Sequence, residues 1–217
     1  MRDLKLIPDT PATISLKGQA TILTILTAAR DVFIDNGYGA FSLRQVSQKC
    51  GLARGNITYY FASRDELLAA LLRAIISGYM WDFDHIISED KADEEKLADI
   101  ITLIINDLST HETSMFFPEL WALSSHNETA AQEMKRLYDD ARKHIIRLIK
   151  AINPHLSQDD REALGLFISA AMEGQTPFIG HSRAFAKRLP QIRAIAIYNF
   201  IDLIQNIRPQ DMQAKST

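Results

Sequence analysis

The stretch Ser42–Arg64, SLRQVSQKCGLARGNITYYFASR, decides the fold of this chain. Ser42 is suited to begin a short helix, Gly51 to end it, and a second short helix follows this turn. The stretch contains four basic residues and neither aspartate nor glutamate. A helix-turn-helix with charge of one sign suits the phosphate backbone of DNA, with its second helix in the major groove. The stretch therefore predicts a DNA-binding head.

The charge of the chain is divided between a basic N-terminal part and an acidic remainder. Residues 1–73 hold nine lysines and arginines against six acidic residues, so their formal charge is +3. Residues 74–217 hold fifteen basic and twenty-one acidic residues, a formal charge of −6. This polarity concentrates attraction for DNA on the head and discourages the remainder from binding DNA non-specifically.

The composition is that of an ordinary globular protein. The chain has 217 residues, of which 47% are hydrophobic and 24% charged. Cys50 is the only cysteine, so no intrachain disulfide is expected and a reducing cytosol is the simplest setting. No apolar run approaches the roughly 20 residues that a membrane helix needs, and the N-terminus lacks the apolar core of a secretory signal. We therefore expect a cytoplasmic protein.

Helical periodicity recurs along the chain, and no strand pattern is visible. The first helix carries its apolar side chains on one face, and Gly37 is expected to end it. Ser63 and Glu66 form a capping box that opens a long helix to about Ile87. The pattern predicts an all-α fold with about nine or ten helices, three of them small ones in a helix-turn-helix head and the rest in a larger helical body.

The span Ile22–Leu72 resembles the N-terminal domain of the TetR family of bacterial transcriptional repressors. It joins the helix before the motif, the Gly37-Tyr38 pair and the capped Ser42 helix in one order. This ordered set is far more specific than a lone helix-turn-helix match. Beyond Leu72 the resemblance is one of architecture alone, and it implies a bacterial regulator with a ligand-binding body.

Three positions depart from the family pattern. Ala53 stands where the family usually places a capping serine, so the recognition helix is expected to be weakly capped. Thr58 stands where a tyrosine is common, which removes a contact with DNA or replaces it by a smaller one. Arg64 replaces the usual lysine and keeps its charge.

The chain is predicted to have four parts with distinct roles. Residues 1–17 are expected to be a flexible arm and residues 18–73 the DNA-binding domain. Residues 74–208 are expected to be the ligand-binding and dimerisation domain. Residues 209–217 are expected to be a disordered tail, since Pro209 follows the last periodic residues.

The side chains predicted to contact DNA lie in the head and at the start of the fourth helix. Arg54 can pair with guanine, Asn56 with adenine, and Thr58 with a thymine methyl group. Gly55 allows the backbone to approach DNA closely. Core packing and a phosphate contact are both open for Tyr60. The full set is Ser42, Arg44, Arg54, Gly55, Asn56, Thr58, Tyr59, Tyr60 and Arg64.

The resemblance implies a pocket between the helices of the body. Such pockets have mostly apolar walls with a few polar anchors, although aromatic residues at helical spacing are also common in cores. Glu119 and Trp121 point in nearly opposite directions on one helix, and Trp121 is preferred as the pocket residue. The effector is expected to be modest in size and largely apolar or aromatic. The candidate residues are Trp81, His85, Phe116, Phe117, Glu119, Trp121, His126, Met172 and Gln175.

A dimer is expected because one recognition helix makes too few contacts for specific repression, whereas a two-fold dimer reads a palindrome. The last long helix is apolar on more than one face and therefore needs two partners. With the helix before it, it can form an intersubunit four-helix bundle. The candidate interface residues are Leu164, Phe167, Ile168, Ala171, Ala194, Ile197, Ile201 and Ile204.

No metal and no cofactor is expected, because the six histidines lack metal-ligand spacing and no nucleotide fingerprint or nucleophile motif occurs. The leading hypothesis is a homodimeric repressor released from a palindromic operator by a small molecule. One alternative is an architectural DNA-binding protein without a ligand. The other is a helical enzyme with a DNA-binding head, which no catalytic constellation supports.

Overall fold

The computed structural model describes residues 5–11 and 13–212. Within these residues the chain forms ten α-helices and no strand, so the all-α prediction is confirmed. Two short 3₁₀ helices, Ala186–Arg188 and Pro209–Asp211, flank the last long helix. The predicted tail lies outside the described residues from position 213 onward. The α-helices are α1 Leu16–Ala40, α2 Leu43–Cys50, α3 Arg54–Tyr60, α4 Arg64–Ser88, α5 Asp93–Leu108, α6 His111–Ser124, α7 Glu128–Ile152, α8 Gln158–Glu173, α9 Thr176–Ile179 and α10 Leu189–Asn206.

The helices are divided between two compact units. Where the structure describes them, the first unit contains Met1–Trp81 and Met115–Tyr138, and the second contains Asp82–Ser114 and Asp139–Thr217. Helices α4, α6 and α7 each contribute residues to both units. The functional boundary predicted after residue 73 remains a prediction.

The helix-turn-helix of the first unit is built from local capping signals. Ser42 caps α2 by accepting a hydrogen bond from the backbone N–H of Gln45 at 3.2 Å. Gly51 ends α2 in the left-handed region, at φ 70° and ψ 13°, and so turns the chain towards α3. As predicted, Ala53 precedes α3 without a side-chain cap. The recognition helix is instead held from below by Ile57, whose side chain is fully buried.

Gly37 interrupts α1 rather than ending it. Its φ of 69° and ψ of 173° break the helical path, and one further turn then continues to Ala40. This backbone conformation is essentially restricted to glycine. The interruption redirects the chain between α1 and α2.

The chain before α1 lies along α4 in the first unit. We call residues 5–11 and 13–15 the arm segment. These are the described residues of the predicted arm that precede α1, and the last of them, Ser15, caps that helix. The backbone N–H of Ile7 donates to the carbonyl of Ala74 at 3.0 Å. Gly78 allows this approach, because a Cβ at that position would collide with the Lys5 carbonyl oxygen. Ser15 then caps α1 by accepting from the N–H of Gly18 at 3.2 Å.

The second unit has its own core between α5, α8 and α10. Leu97, Ile168 and Ile204 are essentially inaccessible to solvent. The Asn153 amide closes this core by donating to the carbonyls of Ile204 at 2.8 Å and Ile207 at 3.1 Å. In the described part of the chain, no helix combines the length and the apolar character needed to cross a bilayer.

Candidate DNA interface and effector-binding residues

Helix α3 presents a polar and basic face to solvent. Arg54, Asn56 and Thr58 are exposed, and Tyr59 is 82% exposed. Arg54 forms no ion pair with any residue that the structure describes. Since the buried Ile57 fixes the helix, these side chains share one accessible surface that could read base edges in a groove.

The predicted roles of Gly55 and Thr58 fit this surface. A Cβ at Gly55 would meet no atom within 4 Å, so internal packing does not require glycine there. The Thr58 hydroxyl donates to the carbonyls of Arg54 at 3.2 Å and Gly55 at 3.1 Å. This leaves the methyl group of Thr58 as the part available for the predicted thymine contact.

The remaining predicted DNA residues flank α3. Arg44 is exposed on α2, whereas Ser42, Tyr60 and Arg64 are half-buried. The ring of Tyr60 lies edge-to-face with that of Tyr59, with centroids 4.9 Å apart. The predicted contacts of these residues with DNA remain predictions.

Tyr38, directly after Gly37, connects α1 to α4, to α6 and to the residue preceding α7. Its N–H donates to Glu119 Oε1 at 2.7 Å, and its hydroxyl accepts from Asn127 Nδ2 at 3.2 Å. Arg64 donates from Nη2 to the Tyr38 carbonyl, and its guanidinium lies 3.7 Å from the ring centroid of Tyr38. We call Tyr38, Arg64, Glu119 and Asn127 the Tyr38 junction.

The Tyr38 junction gives Glu119 and Arg64 structural contacts that their predicted roles do not include. Glu119 is a predicted effector residue, and its carboxylate accepts a hydrogen bond from the backbone N–H of Tyr38. Arg64 is a predicted phosphate contact, and its guanidinium packs on the ring of Tyr38. Burial raises the pKa of the Tyr38 hydroxyl, and the nearby Arg64 charge offsets part of that rise. The Gly37-Tyr38 pair is visible in the sequence, but its partners about eighty positions away are not.

Four aromatic residues of the first unit form what we call the aromatic cluster: Tyr79, Phe117, Trp121 and Tyr138. The ring centroids of Phe117 lie 6.1 Å from Tyr79 and 6.4 Å from Trp121. The Trp121 indole N–H donates to the Tyr138 hydroxyl at 2.7 Å. Trp121 is partly exposed and Phe117 is buried, so the cluster combines an apolar floor with a polar edge.

The other effector candidates of the first unit have different surroundings. Phe116 is fully buried and packs on Phe33 at a centroid distance of 5.0 Å. Trp81 is 52% exposed and lies under the Lys5 ammonium, 3.0 Å from the ring centroid. His126 is exposed. Phe116 is thus a core residue of this unit, and Trp81 is a contact of the arm segment.

The second unit holds His85, Met172 and Gln175. His85 is exposed and lies 4.0 Å from a Glu89 carboxylate oxygen, whereas Met172 is buried. Gln175 Oε1 and Glu173 Oε2 are buried, and neither accepts a hydrogen bond from the described part of the chain. Burial raises the pKa of Glu173 to about 7. These two acceptors mark the end of α8 as a place where a hydrogen-bond donor would be stabilised.

The predicted interface residues differ in exposure. Leu164, Ile168 and Ile204 are buried within the second unit, so they already have partners in their own chain. Ala171, Ile197 and Ile201 are half-buried, Ala194 is exposed, and Phe167 is 56% exposed. Sequence reasoning missed exposed neighbours on the same two helices. The exposed apolar residues, which we call the apolar stripe, are Ala163, Leu166, Phe167 and Ala170 on α8 and Ala194, Ile195 and Tyr198 on α10.

The described residues contain no group of three or more histidine, cysteine, aspartate or glutamate side chains placed to hold a metal ion.

Comparison with known proteins supports the assignment of the head. The family model "Bacterial regulatory proteins, tetR family" matches residues 25–71. The HTH-type transcriptional regulator UidR of Escherichia coli K12 is 30% identical over 56 residues, which are 26% of this chain and 29% of UidR. A fatty acid metabolism regulator protein of Bacillus subtilis is 28% identical over 80 residues, which are 37% of this chain and 41% of that protein. The matches thus cover less than half of these relatives.

The fold extends beyond the matched sequence. A transcriptional regulator from Rhodococcus sp. Rha1 superimposes with a TM-score of 0.70 over 87% of this chain and 100% of that chain. Its sequence is 15% identical, so the similarity concerns the fold alone.

Proposed function

Because this chain belongs to the TetR family of bacterial regulatory proteins, we propose that it is a transcriptional regulator that binds a palindromic operator as a homodimer and leaves it when a small molecule binds. We expect it to act as a repressor in the bacterial cytoplasm. The observation that carries the proposal is the exposed face of α3, where Arg54, Asn56 and Thr58 stand above the buried Ile57. An enzyme has no comparable support in the family to which the head belongs.

The head can divide its contacts between bases and phosphates. Arg54, in the first turn of α3, can form two hydrogen bonds to guanine and thereby read sequence. Arg44, exposed at the start of α2, can contact phosphate, which fixes position without reading sequence. The two arginines therefore offer a matched pair for mutation, whereas Arg64 does not, because its guanidinium supports Tyr38.

Replacement of Arg54 by alanine is expected to weaken operator binding by about 1–3 kcal/mol per half-site and to leave binding to random duplex nearly unchanged, because each copy of α3 loses one base contact. Replacement of Arg44 by alanine is expected to weaken both and to flatten the salt dependence of binding. Fluorescence anisotropy with operator and scrambled duplex over a salt series measures both effects. Equal losses on the two duplexes for both variants would contradict this division of contacts.

The dimer is supported by the apolar stripe. Helices α8 and α10 contact each other, and both expose apolar side chains that their own unit does not cover. Phe167 and Tyr198 are 56% and 71% exposed. A second copy of this chain would bury the stripe on both helices about a two-fold axis. The interface that we propose therefore uses the exposed members of the predicted set, and the buried members support them from beneath.

The effector response is supported by the position of α6. This helix carries Trp121 in the aromatic cluster and Glu119 in the Tyr38 junction, two residues apart. A ligand that displaces α6 would change the bond from Glu119 to Tyr38 and thereby the support of α1 and α4. DNA and effector would then favour different arrangements of the head.

Effector binding beside Trp121 is expected to be visible with the neutral aromatic probe N-phenyl-1-naphthylamine. In Trp81→Phe, the probe should quench the fluorescence of the remaining Trp121 and lower affinity for operator DNA. In Trp121→Phe, the aromatic cluster has lost its indole. The probe should therefore change the fluorescence of the remaining Trp81 only weakly, and adding the probe should leave the affinity for operator DNA unaffected. Quenching of Trp81 but not of Trp121 would show that the probe binds beside Trp81 and not at the proposed effector site beside Trp121. No response in either variant would favour an architectural protein without a ligand.

A further inference from the structure

A cavity of about 700 Å³ lies in the first unit, away from the aromatic cluster. Its walls come from four segments: the arm segment, α1, the end of α3 and the first turns of α4. The volume is in the range of sites that bind small molecules. Neither the predicted effector residues nor the Tyr38 junction line it.

The arm segment forms one wall of this cavity and is itself attached at both ends. Upstream, the backbone bond from Ile7 to Ala74 and the approach of Lys5 to Gly78 hold it on α4. Downstream, the N–H of Ile14 donates to the Pro11 carbonyl at 3.0 Å, and Ser15 caps α1. The described residues between these attachments include Pro8 and Asp9, which line the cavity. The wall is thus built by specific contacts.

The floor of the cavity is apolar. Ile22 and Leu26 of α1 line it, and both are almost completely buried. Phe61, just after α3, is 6% exposed and lines it as well. Tyr59 and Tyr60 add two aromatic rings set edge-to-face at 4.9 Å. Because Ile22, Leu26 and Phe61 expose little surface, a ligand with an aromatic body would bury apolar surface here chiefly against the two tyrosine rings.

The charged groups at the rim favour a cation. Asp9 and Glu66 line the cavity, and among the described residues of its lining Arg73 alone is basic. The Arg73 guanidinium already pairs with Glu133, at 3.0 Å between Nη1 and Oε1. Glu66 accepts the Ala62 N–H at Oε2, at 2.8 Å, which leaves Oε1 for another partner. Two carboxylates beside tyrosine rings are the groups that bind organic cations.

From this arrangement we propose that the head carries a second binding site, beneath the arm segment, for a small organic cation with an aromatic body. The cation lies between the carboxylates of Asp9 and Glu66, and its aromatic body lies against the rings of Tyr59 and Tyr60. The site shares Tyr59 and Tyr60 with the proposed DNA interface. Because of this overlap, the cation is expected to compete with DNA, and this expectation rests on the proposed function. Binding of the cation to the free protein does not rest on it.

Isothermal titration of the full chain with 1-methyl-4-phenylpyridinium tests the proposal. The cation is expected to bind at least about tenfold more tightly than neutral 4-phenylpyridine at mildly alkaline pH, and benzoate is expected not to bind. Equal binding of the cation and its neutral analogue would overturn the proposed charge preference. Absence of binding by the cation would overturn the site.

Matched variants locate the binding. Ala70→Phe projects a ring into the cavity and should abolish binding, whereas Ala69→Phe, on the same helix but outside the described lining, should not. Glu66→Gln keeps an acceptor for the Ala62 N–H and removes the charge, so it should weaken cation binding about tenfold with only a small change in melting temperature. If the Ala70→Phe protein does not fold, cation binding to the Glu66→Gln and Asp9→Asn variants tests the proposal without it. Unchanged affinity in these variants would overturn the proposal.

Discussion

Replacement of Phe167 by aspartate is expected to convert the protein into a monomer and to weaken operator binding by about a hundredfold or more. Phe167 is 56% exposed on α8, in the middle of the apolar stripe. In the proposed dimer it is buried against the partner, and a carboxylate there would be desolvated without a counter-charge. A monomer offers one recognition helix where a palindrome requires two.

The same substitution should leave each chain folded, because an exposed side chain contributes little to its own core. Light scattering gives the mass, and anisotropy with operator DNA gives the affinity. Met115→Asp is the matched control, since Met115 is 46% exposed and lies on α6, outside the stripe. A Phe167→Asp protein that remains a dimer would show that α8 is not part of the dimer interface.

Replacement of Gly37 by alanine is expected to destabilise the first unit by about 1–3 kcal/mol or more. The φ of 69° and ψ of 173° at Gly37 define a backbone conformation that residues other than glycine rarely adopt. A Cβ there would also lie 3.0 Å from Glu119 Oε1, the oxygen that accepts from Tyr38. Strain and loss of the Tyr38 junction therefore act together.

Gly39→Ala provides the control two residues away. A Cβ at Gly39 would meet no atom within 4 Å, and the residue is helical, so alanine should be neutral or should stabilise by about 0.5–1 kcal/mol. Thermal melts of the three proteins measure the difference. Equal melting temperatures for Gly37→Ala and Gly39→Ala would show that the interruption of α1 is not maintained in solution.

Local features of the sequence predicted most of the helices closely. Ser42 is predicted to begin a short helix, and its side chain accepts from the N–H of Gln45. Ser63 and Glu66 are predicted to open a long helix to about Ile87, and α4 spans Arg64–Ser88 with Ser63 accepting from the N–H of Glu66. Such signals act within a few residues, because capping and periodicity are properties of neighbouring positions. The head was predicted for the same reason.

Contacts between distant segments could not be read in this way. The bond from Tyr38 to Glu119 joins residues eighty-one positions apart, and no periodicity encodes it. The path of the arm segment depends on Gly78, which in the sequence is only a glycine within an apolar helix. Periodicity also identified α10 as apolar on two faces without deciding which face is inward. The structure buries Ile204 and exposes Tyr198.

Selection of binding sites from a random duplex library tests the central proposal most directly. The full chain should enrich a palindrome whose half-site centres are about one helical turn, or a multiple of it, apart, because two copies of α3 enter successive major grooves. Arg54→Ala should enrich the same spacing with relaxed preference at one base pair of each half-site. Enrichment of no sequence, or of a single site without two-fold symmetry, would contradict the proposal of a dimeric operator-binding regulator.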